Sequence, residues 1–305
     1  MTKQRIWKGF WQLADPKIWI ASTIPMLVGG LFAYTQEGKF NLFWFLVSLI
    51  GVYLIEISKN ATNEVIDYLS GADRFVEGDK RTPFSGGKKT IVDGILTVSE
   101  AKWIAGLTLL AACIIGLIIV FFWEFNVLYV GLFGVLIATF YTLPPLKLAY
   151  RGLGELAVGF TFGTLITSGI YIAMAHNFDY KVILLSLPIG FLITNVLWIN
   201  EFPDYEADLK AGKKNWVVRL GKKKAATIYA ILFALSYLSF IAISIVLKNP
   251  FYLLAFLTLP ISITAVKIAK RYYDDIPNLI AANAKTVQLY MLTGVIMIIA
   301  NILKR

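Results

Sequence analysis

Apolar residues along this chain do not alternate as in a strand, nor do they form the one-sided stripe of a surface helix; they fill whole windows. Runs close to the roughly twenty residues that cross a hydrocarbon core lie at about 18–35, 40–60, 101–122, 126–144, 153–175, 182–200, 225–247, 250–268 and 284–303. The pattern predicts an all-α integral membrane protein of nine transmembrane helices, a single domain over residues 1–305. The first run lacks the short apolar region and small-residue cleavage site of a signal peptide and is expected to be retained. Polar residues collect in the connections. Those on one side are short, at 35–39, 123–125, 176–181 and 248–249, whereas two on the other side are long, 61–100 and 201–224. Long polar loops between membrane helices are where function concentrates.

Composition agrees with the pattern. Of 305 residues 58% are hydrophobic and only 16% charged, with a mean hydropathy of +0.69; a soluble domain is roughly 45–50% apolar and about 25% charged. The net charge of +10 would suit nucleic acid, but its distribution argues for a lipid bilayer and no nucleic acid. With nine spans, 24 of the 29 Lys and Arg residues fall on the side of the amino terminus. The positive-inside rule then puts the amino terminus and both long loops in the cytoplasm and the carboxyl terminus outside. Cys113 stands alone in mid-span, so there is no disulfide framework. The sequence has no Walker-type glycine loop, no Cys/His metal cluster and no partnered nucleophile, and His176 reads as an ordinary surface residue.

Both long loops begin alike. The second span runs out through Glu56-Ile-Ser-Lys-Asn60-Ala-Thr-Asn63-Glu-Val-Ile-Asp67, and the sixth through Asn200-Glu-Phe-Pro-Asp204-Tyr-Glu-Ala-Asp208. Residues four apart share a helix face, so Asn63 and Asp67 form one polar stripe and Asn200, Asp204 and Asp208 another. The spacing suggests an internal repeat of helices. Two carboxylate stripes at one membrane level repel unless a cation lies between them, and hard oxygen ligands of this kind suit Mg²⁺ bound through carboxylates and substrate phosphates. Arg81, Lys88 and Lys89 in the first loop, and Lys213, Lys214 and Arg219 in the second, are candidate phosphate partners. Acid, Mg²⁺ and base together describe a diphosphate site. Asp73, Glu77, Asp79 and Lys222 to Lys224 read as a solvated loop surface. Glu56 and Lys59 lie deeper; they either pair with each other or, since Glu56 shares the face of Asn60 and Asn63, serve a cavity.

A third element, Tyr141-Thr-Leu-Pro-Pro-Leu-Lys147-Leu-Ala-Tyr150-Arg151-Gly-Leu-Gly-Glu155, ends the fourth span at its prolines. Lys147 is placed to reach a phosphate and Tyr141 to face a cationic intermediate; Tyr150 and Arg151 fit a plain interfacial turn as well.

Together these motifs resemble the UbiA superfamily of membrane prenyltransferases and, within it, the 1,4-dihydroxy-2-naphthoate branch of the menaquinone pathway. The residues that carry the resemblance are Asn63-Glu-Val-Ile-Asp67 with Asp73, Ser85-Gly-Gly, Ile91-Val-Asp-Gly-Ile-Leu-Thr97, Tyr150-Arg-Gly-Leu-Gly-Glu155, and Asp208-Leu-Lys-Ala-Gly-Lys213 to Val218-Arg-Leu-Gly221. The chain departs from the family at Glu64, usually Asp, at Gly71, an Asp in several branches, and at Glu201, often Asn in the naphthoate branch; Pro203 is expected to interrupt the sixth helix just before Asp204. The resemblance implies nine helices around a central, aromatic-lined cavity. It also implies Asn63, Asp67, Asp204 and Asp208 holding Mg²⁺ on a polyprenyl diphosphate, with Lys147 and Arg219 helping. The allylic cation formed there would be captured by a small aromatic acceptor. Two alternatives stand beside it: the same fold acting on an isoprenoid glycerol phosphate, 4-hydroxybenzoate or homogentisate, and a cation-coupled transporter, which also carries intramembrane carboxylates and repeats.

Overall fold

The computed structural model describes residues 2–75, 82–84 and 87–303. Twelve α-helices follow one another: α1 (Thr2–Ala14), α2 (Ile20–Glu37), α3 (Leu42–Ser70), α4 (Val98–Phe122), α5 (Val127–Phe140), α6 (Gly154–Val158), α7 (Ile166–Ala175), α8 (Lys181–Lys210), α9 (Trp216–Leu220), α10 (Lys222–Val246), α11 (Leu259–Tyr272) and α12 (Ile276–Leu303). A π-helical segment, Gly159–Leu165, joins α6 to α7, and a 3₁₀ segment, Pro250–Thr258, leads into α11. Among the described residues seven helical segments are long and apolar enough to cross a membrane. An eighth appears if Lys3–Ile18 and α2, bent from each other by 49°, count as one. The remaining apolar helix, α5, has 14 residues, about 21 Å of helix against a core of roughly 30 Å. It starts just past Trp123 and Glu124, which meet His176 at one end of the bundle, and ends at Tyr141, whose ring lies 5.2 Å from Lys59 Nζ on α3. The sequence pattern did not anticipate α1. Its amphipathic turns run beside α3, with Asn60 Nδ2 donating to Leu13 O at 3.1 Å.

Helix α4 is inverted relative to a helix of a soluble protein. On α4 the exposed large apolar residues include Trp103, Leu107, Leu110, Ile114, Leu117 and Phe121, a repeat of four and three that traces one face. The face turned to α3 carries Ala101, Ala105, Thr108 and Ala112, all buried. Large apolar residues outward and small ones inward is the arrangement expected where lipid is the solvent and helices associate by close approach. Gly163 and Gly190 do the same between the π segment and α8, where a Cβ on Gly163 would lie 2.8 Å from the Gly190 Cα.

Pro203 does not interrupt the helix, as the sequence suggested: α8 runs unbroken to Lys210, through both Pro188 and Pro203. A proline inside a helix leaves the carbonyl four residues earlier without its donor. For Pro203 that carbonyl is Ile199 O, and buried Asn283 Nδ2 of α12 donates to it at 3.1 Å. Pro25 in α2 frees Ala21 O in the same way, and the Tyr290 hydroxyl of α12 donates to it at 2.7 Å. Asn283 and Tyr290 are two turns apart on one face, so α12 mends two broken ladders at once, which is how proline is tolerated in membrane helices. The end of α8 that bears Asp204 and Asp208 is therefore held as helix.

Asn283→Ala and Tyr290→Phe are each expected to destabilise the folded protein by about 1–3 kcal/mol, the cost of an unsatisfied buried polar group, and to lower Tm in detergent. Leu257→Ala, on an exposed position, is the control and should leave Tm nearly unchanged. Equal Tm values across the three variants would refute the role of α12.

Candidate functional site

Three connections meet at one end of the bundle: those following α3, α5 and α8. Gly71, at φ +90°, ends α3 in the left-handed region, which glycine adopts without steric cost, and the chain folds back so that Asp73 N donates to Asp67 O at 3.3 Å. Gly212, at φ +72°, makes the matching turn after α8, and Lys213 N donates to Asp208 O at 2.8 Å. Lys214 N donates to Tyr150 O at 3.1 Å, which joins the third connection to the second.

Asp67 is the centre. Its buried carboxylate accepts from the Tyr150 hydroxyl at 2.7 Å and from Asn63 Nδ2 at 3.0 Å. Lys213 Nζ lies 3.4 Å from Asp67 Oδ2 and 3.6 Å from Asp208 Oδ1. Asp208 also accepts from Asn215 Nδ2 at 2.8 Å, while Asn215 Oδ1 caps α9 by accepting from Val218 N. The cation that two facing carboxylate stripes require is thus supplied from within the chain, by the Lys213 ammonium. Burial opposes that charge, but Asp208 and Asp67 outweigh it and hold the Lys213 pKa well above the usual lysine range. Burial, and then Asp67, likewise raise the Tyr150 hydroxyl, so it stays protonated and donates.

Asp73 is not the solvated loop residue its sequence context suggested. The fold-back buries it, and its Oδ2 has no hydrogen-bond partner. A Cβ on Gly87 would come within 2.8 Å of that carboxylate. Burial first, then the charges of Asp67, Glu64 and Asp204, push its pKa to about 8. The signals that could have found it were its place six residues after Asp67 and the glycine two residues before it. Asn63 Oδ1 is likewise buried and unpartnered. These atoms, like the carboxylates of Asp67, Asp204 and Asp208, are hard oxygens of the kind that suits Mg²⁺. Among the described residues no three His, Cys, Asp or Glu side chains are grouped closely enough to enclose an ion, so an ion here would complete its shell with water and phosphate oxygens.

The other expected site residues divide. Lys147 belongs to the cluster: its Nζ lies 5.8 Å from the centre of the Tyr150 ring, and Lys213 Nζ lies 5.7 Å from the same ring. Asp204 is one turn before Asp208 on the same face. Asn200 instead accepts from Asn283 at 2.8 Å, and Asn60 anchors α1. Arg219 is exposed and braces the two later loops, donating to Lys214 O and Arg151 O, each at 2.8 Å. Lys88 pairs with Asp15 at 2.6 Å, and Lys89 donates to Thr82 O. Glu64 accepts from Lys88 N, Thr90 Oγ1 and Ile91 N, which makes it the anchor of the returning loop. Arg81, Glu77, Asp79 and Ser85 lie outside the described residues. His176 caps α7 in the left-handed region and contacts Glu124 at 2.8 Å.

Next to the cluster, bounded by α2 through α7, is an apolar pocket of about 180 Å³. Its wall is aliphatic and rich in glycine, with Tyr141 and Phe162 as its aromatic members and Glu56 and Lys59 as its charged ones. At Gly116, Gly131 and Gly134 a Cβ would meet nothing within 4 Å, so the missing side chains leave open space.

The Asp73 carboxyl gives a pH signature. A carboxyl whose pKa is raised on folding contributes stability that is complete below its ordinary pKa and is lost as the pH climbs through the raised value. In metal-free buffer Asp73→Asn is therefore expected to gain on the natural protein between about pH 4 and pH 8 and to hold a constant lead above. A difference that does not vary with pH would contradict the burial of a charged Asp73.

A sequence model of the UbiA prenyltransferase family matches residues 22–292. A 1,4-dihydroxy-2-naphthoate octaprenyltransferase of Bacillus subtilis is 28% identical over 291 residues, covering 94% of this chain and 89% of its own. The enzyme of the same name from Escherichia coli is 31% identical, over 72% of this chain and 74% of its own. Among solved structures, a UbiA homolog from Aeropyrum pernix superposes with a TM-score of 0.70 at 16% identity, covering 94% of this chain and 98% of its own. One from Archaeoglobus fulgidus, bound to DMAPP and Mg²⁺, superposes with a TM-score of 0.65 at 17% identity, covering 95% and 99%. The match runs through every helix that bears the cluster, and the chain belongs to the UbiA prenyltransferase family.

Proposed function

We propose that this protein transfers a polyprenyl group from a polyprenyl diphosphate to a small aromatic acceptor, 1,4-dihydroxy-2-naphthoate in the first instance, in quinone biosynthesis. The observation that carries the reading is the Asp67–Lys213–Asp208 bridge, where three loops converge beside an apolar pocket. A diphosphate needs the first and a polyisoprenoid tail the second. The naphthoate acceptor is supported by the names of the Bacillus and Escherichia relatives, and Mg²⁺ by the metal in the Archaeoglobus structure.

In this reading Asn63, Asp67, Asp204 and Asp208 hold the Mg²⁺, whose charge, when bound, stabilises the negative charge that builds on the leaving diphosphate. Lys213 and Lys147, both beside the Tyr150 ring, offer ammonium groups to the diphosphate oxygens. Tyr150 and Asn63 fix the orientation of the Asp67 carboxylate. The allylic carbon–oxygen bond breaks with its electron pair going to the diphosphate, and the apolar wall keeps water from the cation. A ring carbon of the acceptor forms the new carbon–carbon bond, after which the ring loses a proton or its carboxyl group. Tyr141, at the junction of cluster and pocket, turns its ring to the cation. We further propose that α5 completes nine spans, with the amino terminus and the three converging loops in the cytoplasm and the carboxyl terminus outside, as the Lys and Arg asymmetry indicates.

The test is transfer from one labelled polyprenyl diphosphate to a panel comprising the dihydroxynaphthoate, 4-hydroxybenzoate, homogentisate and an isoprenoid glycerol phosphate. Product with the naphthoate alone is expected; product only with another member would reassign the acceptor. Asp67→Ala and Asp204→Ala are each expected to lower transfer by about 10²–10³-fold, the loss typical of a group that stabilises developing charge, with the helical fold intact by circular dichroism. Undiminished Mg²⁺-dependent transfer in both variants would overturn the site.

A further inference from the structure

The bridge and the apolar pocket account for a diphosphate and a tail, but they leave two charged groups unexplained. Glu56 and Lys59 are the charged residues in the pocket wall. They stand three apart on α3, near enough to pair, yet among the described residues neither makes an ion pair: Glu56 Oε2 is buried without a hydrogen-bond partner. Ser22 of α2 lies beside Glu56 without completing a bond of full geometry, and its Oγ is also unpartnered. Lys59 Nζ has only Asn60 Oδ1, at 3.4 Å, and the face of the Tyr141 ring at 5.2 Å. A carboxylate and an ammonium inside a membrane helix are costly to bury, and those that persist mark a ligand or an ion path. Their height decides which. Lys59 is one turn, about 6 Å of helix axis, from Asn63, and Glu56 about 10 Å. They therefore lie between the diphosphate cluster and the apolar depth of the pocket, where the allylic carbon of a bound donor has to be.

We propose that Glu56 and Lys59 are the acceptor site, recognising a hydroxylated aromatic acid whose carboxylate pairs with Lys59 and whose ring hydroxyl donates to Glu56. This assignment rests on the aromatic prenyl-transfer reading above and adds what that reading leaves open, the residues that choose the acceptor. One cation and one anion on successive turns match a ring bearing an acid and a hydroxyl on neighbouring carbons, and they disfavour a plain hydrocarbon. Tyr141 covers the ammonium from one side, so the acid reaches Lys59 from the pocket. The pair also explains why the two side chains do not neutralise each other: each waits for a group of the acceptor.

The experiment compares steady-state kinetics of the purified protein in nanodiscs with a hydroxynaphthoic acid, its methoxy ether, and the naphthol lacking the carboxyl group. Lys59→Gln is expected to raise KM for the acid by at least about tenfold, the worth of a charged hydrogen bond. It should leave KM for the prenyl diphosphate within about twofold, and it should erase the preference for the acid over the naphthol. Lys59→Arg should keep that preference, which shows that charge and not shape is lost. Glu56→Gln is expected to erase the preference for the hydroxyl compound over its ether. Unchanged acceptor KM in both neutral variants, or a rise confined to the donor, would overturn the assignment while leaving aromatic transfer standing. If the natural protein consumes the donor only with an acceptor that is not an aromatic acid, the broader reading fails and takes this one with it.

Discussion

Two carboxylates at the end of a membrane bundle cannot face each other without a cation between them, and the site is organised around that constraint. Lys213 meets it, reaching Asp67 on one helix and Asp208 on another. Removing one partner of a buried ion pair is costly because the remaining charge stays buried, typically about 3–5 kcal/mol. Everything nearby is arranged to keep the three groups in register. Gly71 and Gly212 turn the chain at the right residue, Tyr150 and Asn63 hold Asp67 from one side, and Asn215 holds Asp208 from the other. A lysine in that position is a counter-ion that a diphosphate can share.

The bundle serves the same end. Small residues facing inward let α4 approach α3, and Gly163 and Gly190 let the π segment approach α8. Pro25 of α2 and Pro203 of α8 would ordinarily weaken those helices. Asn283 and Tyr290 on one face of α12 return the missing hydrogen bonds, so Asp204 and Asp208 ride on a continuous helix. The residues that matter most to the site are thus supported by a helix that contributes nothing to its chemistry.

Much of this was legible in the sequence, for physical reasons. Window-filling apolar runs point to membrane helices, of which the described residues show seven or eight, and Asn63/Asp67 with Asp204/Asp208 showed the four-residue period of a polar stripe. What the sequence hid was tertiary. Lys213 was one of several basic loop residues, and only the turn at Gly212 singles it out from Lys88, Lys89 and Arg219, which the structure engages elsewhere. Asp73 looked like solvated loop because its burial depends on a fold-back after Gly71. Pro203 looked like a helix break because its remedy, Asn283, lies eighty residues further along the chain. The amphipathic α1 was masked by its charges, which read as a topology signal.

The account stands on Lys213 as the shared counter-ion, and a double-mutant cycle on metal-free protein tests it most directly. Stability would be measured for Lys213→Met, Asp208→Asn and the pair together. The account predicts that Lys213→Met is strongly destabilising and that Asp208→Asn restores part of the loss, with an interaction energy between about 0.5 and 3 kcal/mol, the range for groups in contact. Single effects that simply add would mean that the lysine and the aspartate do not sense each other, and the bridge could not organise the site.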